Sequence, residues 1–186
     1  MRVTSSRNLR KLTLAAVCTA LCVVLPIAFH VIPNAGSILL PMHIPVLICG
    51  MICGWPFGLV CGIMGPLLSG ILTGMPGPAY LPAMMVECGT YGLVSGLMLK
   101  WVRTGKVCRD LYIALIAAMI AGRVVSGIAK ALVFTPGLAL SAWVTSSFLT
   151  ALPGIILQLA FLPAVVMSLT KARVVPCRYG KGVTSL

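Results

Sequence analysis

The chain has 186 residues, 60% of them hydrophobic and only 9% charged, with a mean hydropathy of +1.10. A soluble domain of this size has no interior large enough for so much apolar surface. The apolar runs are also continuous where a membrane β-barrel would alternate, so the composition points to a helical, polytopic membrane protein.

The formal charge of +12 would suggest nucleic acid in a soluble chain, but its distribution follows topology. Of the 14 Lys and Arg, four precede the first apolar run (Arg2, Arg7, Arg10, Lys11) and four lie between the middle runs (Lys100, Arg103, Lys106, Arg109). Four more follow the last run (Lys171, Arg173, Arg178, Lys181). Cations collect on the cytoplasmic side of membrane proteins, and these lack the aromatic or Gly-rich setting of a nucleic-acid surface. No nucleic-acid partner is expected.

In chain order, span 1 is expected over residues 9–29, a retained helix because no convincing cleavage site follows its basic start. Residues 30–42 form an outer loop. Span 2 covers 43–54 and is short; a turn at Trp55-Pro56 leads into span 3, 56–73. The Gly- and Pro-rich stretch 74–82 is a second outer loop. Span 4 covers 83–101, a basic cytoplasmic loop follows, and span 5 covers 111–134. Residues 135–141 form a third outer loop, and span 6 covers 142–170. The expectation is one all-α domain, 1–186, of six transmembrane helices with both termini cytoplasmic. All twelve loop and tail cations then fall on one side, whereas reading 43–73 as a single bent helix breaks that asymmetry. So little cytoplasmic material leaves no room for an ATPase within the chain.

Span 5 is the most informative stretch. It carries Arg123 near its middle and Lys130 seven residues later, on nearly the same helix face and about 10 Å apart along the axis. A cation at mid-bilayer costs about 2.5–3.5 kcal/mol on the mildest scale, so intramembrane charges usually face cavities or one another. The one acid within a span is Glu87, near the outer end of span 4, and antiparallel neighbours would bring it closer in depth to Lys130 than to Arg123. One reading is a structural ion pair. The other is a ligand site with a surplus cation, suited to an anionic group that Arg123 can hold bidentately. Asn34, His43, Tyr91 and Trp143 are further polar candidates in the outer half, and Gln158 lies deeper in span 6. His43 also suits an interfacial or capping role, Tyr91 and Trp143 packing or an aromatic belt, and Gln158 an interhelical hydrogen bond.

No catalytic set is visible, and the chain has only two acids, so an enzyme is not expected. The eight cysteines, at 18, 22, 49, 53, 61, 88, 108 and 177, include no CxxC pair. They read as small apolar packing residues, with neither a metal nor a cofactor implied. Small residues recur at four-residue spacing in Ala16/Ala20, Gly50/Gly54, Gly58/Gly62 and Gly92/Gly96, a pattern that lets helices approach closely. The first pair lies in the cytoplasmic half of span 1, where a partner could dock.

The stretches PMHIPVLICGMICG (41–54), GMPGPAYLPAMMVECGTYGLVSGL (74–97), AGRVVSGIAKAL (121–132) and PGIILQLAFLPAVV (153–166) resemble the S-components of energy-coupling factor (ECF) vitamin transporters, in particular the branch whose best-known members take up pantothenate. The resemblance implies a six-helix, substrate-binding subunit of a bacterial cytoplasmic-membrane importer, without catalysis of its own. It would capture a small vitamin on the outer side, gated by loops 30–42 and 74–82, and topple against a T subunit while two ATPase subunits drive the cycle. Ala16 and Ala20 look like the alanine motif that meets the T subunit. Asn34, His43, Glu87, Tyr91, Arg123, Lys130 and Gln158 are the expected substrate-binding residues; Glu87 and Arg123 are carried over from the matching stretches, and the others rest on position alone. A queuosine precursor base is the rival ligand, and a stand-alone ion-coupled carrier the rival class.

Overall fold

The computed structural model describes residues 2–29, 40–131, 145, 149 and 151–171, with side chains from residue 8 onward. Among the described residues there are six α-helices: α1 (Arg2–Phe29), α2 (His43–Cys53), α3 (Trp55–Thr73), α4 (Leu81–Trp101), α5 (Val107–Ala129) and α6 (Leu152–Lys171). Helix α1 begins well before the apolar run, taking the basic N-terminal residues into the same helix. The expected span 142–170 is seen as helix from Leu152; the rest of that stretch, apart from Thr145, Leu149 and Ala151, lies outside the described residues, as do residues 30–39 of the first expected outer loop and all of the third, 135–141.

Four helical stretches are long and apolar enough to cross a membrane: Asn8–Phe29, α3, α5 and α6. The other two helices fail for different reasons. Helix α2 has 11 residues, or about 16 Å, and α4 is long enough but carries Glu87, Thr90, Tyr91 and Ser95. Both lie inside the bundle. Helix α4 packs against α2, α3 and α5, and α2 buries His43, Pro45, Val46, Leu47, Cys49, Gly50 and Cys53. A helix sheathed by other helices need not present an apolar surface to lipid.

Helices α2 and α3 are separated by Gly54 alone, at φ 96° and ψ 171°, a conformation open to glycine. The chain reverses there. A Cβ on Gly58 would collide with the Cα of Gly50, whereas residues eight apart in one continuous helix stand about 12 Å from each other. The bent-helix reading of 43–73 is therefore excluded, and α2 and α3 form a hairpin.

Helix α4 lies against this hairpin backbone to backbone. A Cβ on Gly92 would overlap the carbonyl of Gly58, one on Gly96 the amide of Trp55, and one on Gly62 the carbonyl of Cys88. Gly50, Gly58, Gly62, Gly92 and Gly96 mediate the close packing expected of them, all within the α2–α3–α4 unit, whereas Gly54 ends α2 and makes the turn instead. Helices α4 and α5 run antiparallel: Tyr91 meets Gly122, Glu87 meets Lys130, and at the other end Leu99 clusters with Leu111 and Ala114.

The main core joins Cys18 and Cys22 of α1, Cys49 and Cys53 of α2, Cys61 of α3 and Cys88 of α4 with Val46, Leu47, Leu115 and Leu162. The described cysteines are free thiols. Among the described residues no group of three or more His, Cys, Asp or Glu has a metal-holding arrangement. Packing by small, polarisable side chains accounts for the cluster. Helix α1 turns Ala15, Cys18 and Cys22 into this core and leaves Ala16 and Ala20 exposed.

The turn between α4 and α5 is tightly built. Asp110, fully buried, accepts hydrogen bonds on Oδ1 from the Thr104 amide (2.9 Å) and hydroxyl (2.6 Å). Arg109 Nη2 donates to the Thr104 carbonyl at 3.1 Å, and Gly105 takes φ 86°. Lys100, Arg103, Lys106 and Arg109 are exposed around this frame.

Candidate functional site

The polar interior is concentrated where α2, α4 and α5 meet. Glu87 and Tyr91 are one turn apart on α4, so they share a face, and the Tyr91 hydroxyl donates to Glu87 Oε1 at 3.0 Å. His43 opens α2. Its Nε2 lies 3.6 Å from Glu87 Oε1, and its ring tilts against that of Tyr91 with centroids 5.0 Å apart. Lys130 arrives from α5 with Nζ 3.9 Å from Glu87 Oε2. One carboxylate thus gathers a phenol, an imidazole and an ammonium group. Of the partners weighed for Glu87 from the sequence, Lys130 is in direct contact with it, and His43 stands beside the same carboxylate.

Arg123 lies one heptad before Lys130 and is 3% exposed. The preceding residue, Gly122, is the floor on which the Tyr91 ring rests: a Cβ there would overlap the ring edge. That seat holds Tyr91 between α2 and α5 with its hydroxyl directed to Glu87. Nothing in the sequence distinguished Gly122 from the other glycines; the signal was its place beside Arg123 within a short, matched stretch.

His43 is 1% exposed. Neither of its ring nitrogens has a hydrogen-bond partner among the described residues; Nε2 approaches Glu87 Oε1 to 3.6 Å. A neutral imidazole has one donor and one acceptor, and a buried polar atom left unsatisfied costs about 1–3 kcal/mol. The ring is therefore a place where a polar ligand group can be received.

Gln158 is also buried, at 1% exposure, but its described contact is with the backbone: Nε2 donates to the Leu40 carbonyl at 3.5 Å. The bond runs from α6 to the segment just before α2, and not between two helices as weighed for it above. Asn34 and Trp143 lie outside the described residues. His43, Glu87, Tyr91 and Lys130 form one contact network, and Arg123 stands beside it next to the Tyr91 seat. Ala16 and Ala20 belong to a separate, exposed surface on α1.

Chemically, the cluster offers one acid against two bases. With Lys130 set against Glu87, Arg123 provides the positive balance. Tyr91 and His43 add an aromatic wall and hydrogen-bonding groups. Such a set can bind a small polar molecule that carries one negative charge.

No curated protein and no solved structure matches the chain. A family model described as "ECF transporter, substrate-specific component" does match, over residues 10–166, a stretch that includes all of α2 to α5, the Ala16/Ala20 pair and Gln158. The chain belongs to this family: it is the substrate-specific membrane component of an ECF transporter, and it works with an energy-coupling module.

Proposed function

We propose that this component binds pantothenate and delivers it to the cytoplasm. The observation that carries the reading is the charge balance of the α2–α4–α5 cluster, in which Glu87 is already faced by Lys130 and Arg123 adds a second, buried cation. Pantothenate has one carboxylate, an amide and hydroxyls. Arg123 would hold the carboxylate, and Lys130 would remain with Glu87 or share it. Glu87 and the ring nitrogens of His43 would take the hydroxyls and the amide, with Tyr91 as the wall behind them. Asn34 would add to the same set from the first loop.

In this reading six spans cross the bacterial cytoplasmic membrane with both termini inside. The positive clusters around residues 2–11, 100–109 and 171–181 support that orientation, and it puts the cluster at the outer side. Loops 30–42 and 74–82 would gate it. The exposed Ala16/Ala20 face of α1 would meet the T subunit, whose two ATPase partners drive the cycle. The chain itself would perform no chemistry.

A cationic queuosine precursor base would instead need an available carboxylate and a stacking aromatic. Tyr91 could supply the second, but Glu87 is engaged by Lys130 and the Tyr91 hydroxyl, and Arg123 would repel the ligand. A stand-alone carrier is disfavoured by the family match.

A thermal-shift screen of the purified protein tests the ligand. A molecule that binds only the folded state stabilises it by about 2.7 kcal/mol at a hundred times its Kd. Pantothenate is expected to raise the melting temperature in a saturable way. A shift with purine-like bases and none with pantothenate would overturn the reading.

A further inference from the structure

Gln158 sits on α6, 118 positions from its hydrogen-bond partner Leu40. Leu40 is itself unusual. It is the only described non-glycine residue with positive φ, at 51°, and it immediately precedes Pro41, a setting that favours extended backbone. A left-handed leucine persists only where its surroundings hold it there. The groups that hold it are on view: its carbonyl accepts from the His43 amide at 3.0 Å and from Gln158 Nε2 in a long bond at 3.5 Å, and its side chain is 9% exposed.

The same carbonyl therefore ties together three things: the end of the segment before α2, the first turn of α2, and α6. His43 is the residue whose amide it fixes and whose imidazole stands between Tyr91 and Glu87. The other anchors of α6 are apolar: Ile155, Leu159 and Leu162 at the main core, then Val166 and Met167 near Leu99, Leu111 and Cys108. Gln158 is the polar anchor of α6 at the level where α2 begins.

We infer that Gln158 is a positioning residue that acts through the Leu40 carbonyl to seat the His43 imidazole in the binding cluster, and that it does not itself contact the ligand. The inference rests on the α2–α4–α5 cluster being the binding site. Turning the Leu40 carbonyl away would release the His43 amide and the first turn of α2, moving the imidazole relative to Glu87 and Tyr91. Gln158 would then tune affinity without touching what is bound.

Hydrogen exchange on the full-length protein tests the mechanical half without any ligand. In the wild type, the His43 amide should be protected by the Leu40 carbonyl; exchange there at the rate of an open chain would overturn the inference with no variant needed. Gln158→Met keeps the length and removes the donor, and Gln158→Glu places an acceptor against an acceptor. In both, the His43 amide should exchange at least about fivefold faster, the worth of one ordinary hydrogen bond, while amides of α3 keep their rates. Wild-type exchange at His43 in either folded variant would refute the inference.

Pantothenate titration tests the functional half. Gln158→Met should weaken binding at least about fivefold, and it should cost nothing further once His43→Ala is present, because the effect runs through the imidazole. Fully additive losses would mean direct ligand contact and would overturn the positioning role. If the wild type binds no pantothenate, the ligand assignment fails, and the exchange experiment still decides the fate of the anchor.

Discussion

Glu87 Oε2 lies 3.9 Å from Lys130 Nζ across the antiparallel α4–α5 pair. This contact sets the logic of the cluster: the carboxylate faces Lys130 directly, and the buried Arg123 is a second cation within the same group of helices. The Tyr91 hydroxyl on Oε1 at 3.0 Å and the His43 ring beside it complete a frame in which the carboxylate is shared among three helices. Removing either member of the pair leaves the other in a poorly solvated setting, so the two should not behave independently. Glu87→Gln and Lys130→Met, measured singly and together by unfolding, should show a coupling of about 0.5–3 kcal/mol. Simple additivity would mean that the pair contributes nothing.

The glycine contacts make a sharper prediction about folding. Gly92 meets the backbone of Gly58, where no side chain can yield. Gly92→Ala should therefore force α4 off the α2–α3 hairpin, at about 1–3 kcal/mol or more, and be seen as a large fall in melting temperature or loss of folded protein. Gly77, with nothing within 4 Å of an added Cβ, is the control. Gly77→Ala should leave the melting temperature unchanged.

The buried Asp110 makes a case away from the site. Its Oδ1 accepts both the amide and the hydroxyl of Thr104, which shapes the basic turn and the start of α5. Asp110→Ala should lower stability by about 1–3 kcal/mol, since it strands two donors, while ligand affinity stays at the wild-type value. Equal stability of wild type and variant by thermal unfolding would show that the turn holds its shape without the carboxylate.

The Ala16/Ala20 face separates docking from binding. Both residues are exposed on α1, on a surface distinct from the α2–α4–α5 cluster. Ala16→Trp and Ala20→Trp should abolish uptake in cells that supply the coupling module yet leave ligand binding by the purified component intact. Normal uptake in both variants would remove the docking assignment.

Much of this architecture was legible in the residues. The basic clusters and apolar runs gave the helices, and the four-residue glycine spacing gave the close packing of α2, α3 and α4. Antiparallel order was enough to bring Glu87 towards Lys130, as the structure has it. His43 was harder to read: at the edge of a short helix it suits an interface as well as an interior. Only the hairpin at Gly54, with α4 packed over it, carries His43 inside the bundle against Tyr91. Gly122 and Leu40 left no pattern at all. The first matters because of a ring on another helix, the second because of an amide 118 positions away, and periodicity within one helix records neither. Asp110 carried no reading from the sequence; its role appears only in its two bonds to Thr104.

The most direct measurement is calorimetric titration of pantothenate into the purified wild-type protein and its Arg123→Ala variant. The account expects saturable binding by the wild type and affinity weaker by at least about tenfold in the variant, the loss of one charge-assisted contact. No binding by the wild type, or undiminished affinity in Arg123→Ala, would contradict it.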